Sequence, residues 1–324
     1  MDGKINIAIA GLSFGGEFIP IFKDHPNVNL YAISRRNEDK LNEMADYFDI
    51  EHRYTDYDEL IEDPEIDAVH INTPIPKHAE HTIAALEAGK HVSCTVPMGT
   101  SIEECKDIVR AKKKTGKIYM MHETEVYTRN LFYLREMRDN GELGKIQFVR
   151  GCHQQVMEGW PGYWDGLPPM HYPTHAVSPC LDLLETEAEV ITARGSGRVS
   201  DRLKKQYGSP FAVETAHIQM RDSDVVAEVT RSLYETMRET IEAVDVYGSE
   251  KSFEWQRLLG EDPIIFYGED GKRVEIPDYA HLLPEEIQEY TRRSLYETKD
   301  FLENTSFEPV ASFLQGAPRH GGSH

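Results

Sequence analysis

Five consecutive residues, His171-Tyr172-Pro173-Thr174-His175, bring two imidazoles and a phenol together. Pro173 suits the first turn of a helix, where its missing N–H leaves no hydrogen bond unmade. Residues four apart on a helix share a face, so this reading points His171 and His175 the same way, with Tyr172 three before His175. An imidazole, with an unperturbed pKa of ~6.5, exchanges protons near neutral pH, whereas a phenol at ~10 first needs a neighbouring cation or dipole. The segment therefore suits acid–base chemistry, with His175 as the proton-transferring group and Tyr172 orienting or relaying. His153 is an isolated histidine, which serves either in a site or as a structural core group. Two histidines at this spacing can bind metal, but no HExxH glutamate separates them and Pro173 interrupts the pattern, so no metal is expected.

A second constellation opens the chain. Gly11-Leu-Ser13-Phe14-Gly15-Gly16 follows the apolar strand Ile5 to Ala10 and precedes a helix, so it reads as a GxGxxG fingerprint with Ser13 at the second glycine. Gly11 permits the tight turn, a small residue at 13 lets a pyrophosphate approach the backbone, and Gly16 allows close helix–strand packing. Its place at the first strand of a βαβ series points to dinucleotide binding, with Phe14 inside the same loop. The second strand ends in Ser34-Arg35-Arg36, without the acidic residue that holds a ribose 2'-hydroxyl. A hydroxyl and two guanidinium groups suit a 2'-phosphate, so NADP is favoured with NAD as the alternative.

The elements that must carry these groups fall into two domains. Strands at Ile5–Ala10, Val28–Ser34, Ala68–Asn72, His91–Cys94 and Ile118–Met121 alternate with helices at Glu38–Phe48, Lys77–Ala88 and from Ser101, whose Ser101-Ile-Glu-Glu104 spacing is that of a capping box. This pattern yields a parallel sheet covered on both faces. After Tyr127 a helix ends near Asn140-Gly141 and period-2 strands take over, at Ile146–Val156, Glu189–Arg194, Val213–Met220 and Val225–Leu233, with a hairpin turn at Asp270-Gly271. Val225, Ala227 and Val229 face one way and Glu228, Thr230 and Ser232 the other. The expectation is an α/β protein: a Rossmann domain over residues 1–122, and an α/β domain with an open, mostly antiparallel sheet over 123–324.

At 324 residues, two domains are the natural prior. Asp and Glu outnumber Lys and Arg 56 to 35 for a net charge of −21, which repels phosphate backbones and argues against a nucleic-acid partner. No apolar run nears the ~20 residues of a membrane span, so no membrane is expected. The start, Met-Asp-Gly-Lys, lacks the pattern of a secretory signal, and Cys94, Cys105, Cys152 and Cys180 form no CxxC pair, so a cytoplasmic location is expected.

Three further segments carry a family likeness. Thr73-Pro74-Ile-Pro-Lys-His78, Glu87-Ala-Gly-Lys-His-Val92 and Val96-Pro97 resemble the TPxxxH, EAGKHV and EKP signatures of the Gfo/Idh/MocA oxidoreductases. The resemblance implies a Rossmann domain joined to an open-sheet domain, a nicotinamide cofactor held partly by Thr73, Pro74, His78, Thr95, Val96 and Pro97, sugar or polyol substrates, and homodimers or homotetramers. Thr95-Val96-Pro97 departs from the pattern, because the lysine that in the family bonds the reacting hydroxyl is replaced by Val96. The Tyr172-Pro-Thr-His175 segment resembles a branch that includes NAD-dependent α-N-acetylgalactosaminidases, in which the Tyr and His line the sugar site. Glu123 stands where that branch has an assisting glutamate.

Without that lysine, His175 is the leading base, supported by Tyr172, Glu123, His171 and His153. The aromatic segment Gly159-Trp160-Pro-Gly-Tyr163-Trp164 leans towards stacking on a sugar ring. The expected function is NAD(P)-dependent oxidation or reduction of a sugar, glycoside or polyol. A redox-neutral glycoside hydrolase or lyase with a tightly bound cofactor is the alternative, and a non-catalytic sugar or coenzyme sensor a third.

Overall fold

The computed structural model describes residues 3–156, 162–233, 241–258 and 261–289. Trp160, in the aromatic segment, lies outside them. The chain divides into two compact units, one built by the described residues up to His122 with those from Ala280 onward, the other by Glu123–Tyr279.

The first unit holds β1 (Ile5–Ala10), α1 (Ile19–Asp24), β2 (Val28–Ser34), α2 (Glu38–Tyr47), β3 (His52–Tyr54), α3 (Tyr57–Glu62), β4 (Ala68–Ile71), α4 (His78–Glu87), β5 (His91–Thr95), α5 (Ile102–Thr115) and β6 (Tyr119–His122). Its six parallel strands run in the order β3-β2-β1-β4-β5-β6, so the direction of winding reverses between β1 and β4 and opens a crevice at their carboxyl ends. Val69, Ile71, Val92 and Cys94 are buried in the sheet, and α5 starts at the capping box that Ser101 and Glu104 form with each other's backbone. The sequence reading missed β3 and α3, which are too short for a periodicity to show. The glycine turn leads first into a 3-10 segment, Phe14–Phe18, and then into an α1 of only six residues, a shorter helix than the fingerprint suggests.

The second unit holds α6 (Arg129–Asp139), β7 (Ile146–Gln154), α7 (Thr174–Leu184), β8 (Ala188–Arg198), α8 (Asp201–Tyr207), β9 (Phe211–Met220), β10 (Val226–Ser232), β11 (Ile241–Gly248), β12 (Ser252–Glu254), β13 (Ile264–Tyr267) and β14 (Asp270–Arg273). Its eight strands lie in the order β14-β13-β12-β11-β7-β10-β9-β8, antiparallel throughout except for the pair β7–β10. The mostly antiparallel sheet matches the expectation. Val225, Ala227 and Val229 are buried as the alternation required, but Ser232 is buried too, because Gln155 and Arg231 close over the strand end and both donate to its carbonyl. The last hairpin forms around Gly268-Glu269, with Asp270 and Gly271 already paired in β14. Residues 280–289, expected in the second domain, cluster with the first unit instead: Ile287 is buried and its turn lies against α1.

Helix α7 deserves its position to packing, not to its ends. Its N-cap is Pro173, which offers no side-chain cap, whereas Ala176, Cys180 and Leu183 on one face are fully buried in the core. A cap contributes about 1 kcal/mol, less than the roughly 1.5–3 kcal/mol gained by burying one leucine-sized side chain. At Gly151 the β7 backbone approaches this helix so closely that a Cβ would stand 2.0 Å from the Ala176 carbonyl oxygen. Gly151→Ala is expected to lower stability by about 1–3 kcal/mol through overpacking, read as a reduced midpoint in urea unfolding.

Candidate active site

Three strands of the second unit set a charged row across the inner face of the sheet. His153 on β7 pairs with Arg231 on β10 and with Glu242 on β11. Arg231 and His153 are completely buried, and one quarter of the Glu242 side chain is exposed. Such a row survives only if every charge is met. The Arg231 guanidinium donates to the Tyr172 carbonyl at 3.1 Å, to Gln155 Oε1 at 2.7 Å and to the Ser232 carbonyl at 2.6 Å. Burial nevertheless lowers its pKa to about 10. Burial, reinforced by Arg231 and His175, holds the His153 imidazole well below its usual pKa, so that ring is neutral. Its Nε2 lies 3.2 Å from Glu242 Oε1.

Above this row, His175 near the start of α7 is held from both sides. Its Nδ1 meets Glu123 Oε1 at 2.5 Å, and its Nε2 meets the Tyr172 hydroxyl at 2.8 Å. A carboxylate on Nδ1 places the proton there, leaving the Nε2 lone pair to accept from the phenol. Tyr172 is fixed in turn by Trp164, whose ring meets its ring edge-to-face at 5.2 Å, and by the Arg231 guanidinium 5.9 Å from the ring centre. Burial, with the Glu242 and Glu123 carboxylates, raises the phenol's pKa, so Tyr172 keeps its proton unless His175 takes it. Glu123 Oε1 also accepts the Glu125 backbone N–H at 3.0 Å, while its Oε2 is buried without a hydrogen-bond partner among the described residues.

Of the proposed catalytic residues, the fold thus brings together Glu123, His153, Tyr172 and His175. His171 stands apart. It ends a separate 3-10 turn, Pro169–His171, and is exposed, because the residue before a proline is disfavoured in the helical region and Tyr172 sits at φ −134°, ψ 59°. Helix α7 starts after Pro173, so His171 and His175 share no helical face. Trp164 packs with Leu203, Tyr207 and Leu233 as well as on Tyr172, filling space in this unit.

Two carboxylates escaped the sequence reading. Glu242 Oε1 lies 3.9 Å from His175 Nε2 in addition to its contact with His153. Glu125 lies in the turn Thr124–Tyr127, and its pKa is raised well above the carboxylate range by burial first, then by the Glu242 and Glu123 carboxylates. Glu242 is in phase with the apolar Val244 and Val246 along its strand, and that mismatch was the available signal. Among the described residues, no group of three or more His, Cys, Asp or Glu side chains stands in a geometry that would hold a metal ion.

In the first unit, the nucleotide motif forms the expected turn. Gly11 has φ +92°, and a Cβ there would stand 2.4 Å from the Asn72 carbonyl oxygen. Gly16 is buried against Met44, whereas Ser13 and Phe14 are exposed on the outer side of the turn. Ser34 is buried at the end of β2 and accepts the Gly11 N–H through its carbonyl; Arg35 is partly buried, and Arg36 is exposed. Arg35 Nη1 and both polar atoms of the Asn72 amide are enclosed without hydrogen-bond partners among the described residues. Enclosed polar atoms beside an open glycine turn fit a dinucleotide, which Gly11, Ser13, Ser34, Arg35 and Asn72 would hold.

Thr73, Pro74, His78, Thr95, Val96 and Pro97 occupy the neighbouring loops after β4 and β5. His78 is buried and ties those loops together, its ring nitrogens 2.8 Å from the Thr73 and Pro97 carbonyls. Thr95 Oγ1 donates to the Ile71 carbonyl at 3.1 Å, Pro74 is exposed, and the Val96–Pro97 peptide bond is cis with Val96 buried.

A six-stranded Rossmann sheet with a fingerprint turn, followed by a unit on a large mixed sheet, defines a nucleotide-dependent oxidoreductase architecture. Residues 5–123 match the model of a family described as "Oxidoreductase family, NAD-binding Rossmann fold". The chain is 28% identical over 294 residues to myo-inositol 2-dehydrogenase of Thermotoga maritima, covering 87% of this chain and 82% of that protein. It is 33% identical over 124 residues to levoglucosan dehydrogenase of Pseudarthrobacter phenanthrenivorans, covering 38% of this chain and 32% of that one. Among solved structures, an NAD binding oxidoreductase from Klebsiella pneumoniae has the same fold, with a TM-score of 0.74 at 19% identity over 88% of this chain and 82% of that one. A levoglucosan dehydrogenase in complex with NADH and levoglucosan gives 0.70 at 22% identity, over 84% and 80%. No described helix is long and apolar enough to cross a membrane.

Gly11→Ala would drive a Cβ into the Asn72 carbonyl and close the turn. It is expected to weaken NAD(P)H binding at least tenfold in a fluorescence titration, equivalent to about 1.4 kcal/mol.

Proposed function

We propose that the protein is an NAD(P)-dependent oxidoreductase that oxidises a ring hydroxyl, or reduces the corresponding keto group, of a sugar, glycoside or polyol. The observation that carries this reading is the Glu123–His175–Tyr172 chain, a base held in one tautomer and hydrogen-bonded to a phenol inside a Rossmann-linked unit. The relatives named above, which act on an inositol and on levoglucosan by name, support the substrate class. A bound nicotinamide supplies or accepts the hydride. The protein's part is to take the hydroxyl proton at His175 Nε2, directly or through the Tyr172 oxygen, while Glu123 stabilises the resulting imidazolium from Nδ1. Val96, buried and uncharged, takes no part in proton transfer, so that work falls to His175.

His175→Ala is expected to lower kcat by about 10²–10⁴-fold with NAD(P)H binding unchanged, measured by absorbance at the nicotinamide wavelength against a panel of inositols and sugars. Unaltered turnover in this variant would remove the assigned role.

NADP is the preferred coenzyme in this proposal, on the strength of Ser34 and of the enclosed, unpaired Nη1 of Arg35 at the end of β2. Charge-assisted bonds to a phosphate are worth about 1.5–3 kcal/mol, so Arg35→Asp is expected to shift the ratio of kcat/KM values from NADP towards NAD by at least tenfold. Equal use of both coenzymes by the unsubstituted protein would argue for a bare ribose.

The redox-neutral alternative draws on the same chain. A Tyr172–His175–Glu123 arrangement without a lysine at 96 also suits an α-N-acetylgalactosaminidase-like cycle, in which these three groups would move the protons and a retained nicotinamide would supply reversible hydride chemistry. Release of an aryl aglycone with no net change in nicotinamide absorbance would favour it. The sheet face opposite α6 and α7 carries Arg150, Gln154, Thr215, Glu228 and Thr230, a polar surface that suits contact with a second copy in a homodimer or homotetramer.

A further inference from the structure

His78, the first residue of α4, is buried, and each of its ring nitrogens lies 2.8 Å from a backbone carbonyl, Nε2 from that of Thr73 and Nδ1 from that of Pro97. A carbonyl only accepts hydrogen bonds, whereas a neutral imidazole has one N–H and one lone pair. In the neutral ring, one of the two contacts therefore sets a lone pair against a carbonyl oxygen. With both nitrogens protonated, both contacts are hydrogen bonds. We propose that His78 takes up a proton when the dinucleotide binds, and that the resulting imidazolium ties the loops after β4 and β5 together while balancing the charge of the coenzyme's diphosphate.

Opposing effects meet at this ring in the ligand-free protein. Burial lowers its pKa, and its place at the positive end of a helix dipole acts in the same direction, while the Pro97 and Thr73 carbonyls act the other way. The charged and titratable groups nearby do not decide the balance. The loop after β4 brings Lys77, which is exposed and paired with Glu80 at 2.6 Å. Helix α4 brings His81, whose Nδ1 is 2.9 Å from Thr73 Oγ1, and residues 96–100 after β5 contain no charged side chain. Carbonyls occupy both nitrogens of His78, so no carboxylate holds its proton.

A diphosphate supplies the missing negative charge. Thr73 spans the two places: its carbonyl meets His78, and its nitrogen would stand 2.9 Å from a Cβ on Gly11. The imidazole is thus one residue removed from the glycine turn. It acts through the backbone of Thr73 and Pro97 and is a positioning residue of the coenzyme site. Because binding raises the pKa of the ring, affinity is greatest below the free ring's value and falls as pH rises through the bound ring's value.

The proposal rests on the reading of the Gly11 turn as a dinucleotide site, and one calorimetric experiment separates the two. The intact protein is titrated with NADPH or NADH, whichever binds, in buffers of different ionisation enthalpy at about pH 7.5, above the ~6 at which a 2'-phosphate titrates. Uptake of at least about half a proton per coenzyme is expected, with Kd rising about tenfold from about pH 6.5 to about pH 8.5. His78→Gln is expected to abolish the uptake and His81→Gln to retain it. Coenzyme binding without proton uptake overturns the proposal and leaves the dinucleotide site standing, and so does an uptake that persists in folded His78→Gln. Should that variant not fold, nitrogen NMR of the ¹⁵N-histidine-labelled wild type with coenzyme decides. A ring with two protonated nitrogens, each coupled to the carbonyl carbon of Thr73 or Pro97, is expected, and a singly protonated ring there overturns the proposal. Binding of neither coenzyme would remove the dinucleotide reading and this proposal together.

Discussion

Glu123 and His175 meet at 2.5 Å inside the second unit, and neither could remain there alone. An unpaired carboxylate held out of water costs several kcal/mol, and an imidazole without an acceptor on Nδ1 has no fixed tautomer. Their contact settles which nitrogen faces Tyr172 and therefore what the site can do. It also joins the turn that begins the second unit to the helix that follows the aromatic segment. Everything else in the cluster is arranged so that this pair can stay buried.

Arg231 performs the largest share of that arrangement. It is fully buried, yet it donates hydrogen bonds to backbone carbonyls and to the Gln155 amide, and the Glu242 and Glu214 carboxylates also favour its charge. The positive charge is thus tied to the chain itself, where it closes the carboxyl end of β10, and remains available to balance an acidic cluster. In the first unit the Arg35 and Asn72 atoms present the opposite situation, polar atoms enclosed without hydrogen-bond partners among the described residues. Enclosing polar atoms without partners is unfavourable for folding alone, and fits a site that a bound ligand would complete.

Much of this was legible in the residues. The βαβ alternation placed β1, β2, β4 and β5 closely, the capping box at Ser101 located α5, and the alternation of Val225, Ala227 and Val229 oriented β10. Local patterns report local structure well. The misses arose where tertiary contacts decide. Pro173 was compatible with a first helical turn, but it starts α7 later than the spacing of His171 and His175 required. Arg231 and Glu242 break the apolar phase of their strands, a mismatch visible in sequence, yet only the register of β10, β7 and β11 shows that both stand beside His153. Glu125 sits in a turn with no periodicity, and nothing in its neighbours announces that the Glu242 carboxylate on β11 acts on it.

The one parallel pair in the second sheet has a consequence for how the protein is made. β7 and β10 must come together across 78 residues separating His153 from Arg231, and the connection between them carries Tyr172, α7, β8 and β9. Closing so long a loop is entropically costly and slow. A nascent or partly folded chain therefore keeps His153 and Arg231 far apart, and that part of the buried row is assembled only by the docking of β10 on β7.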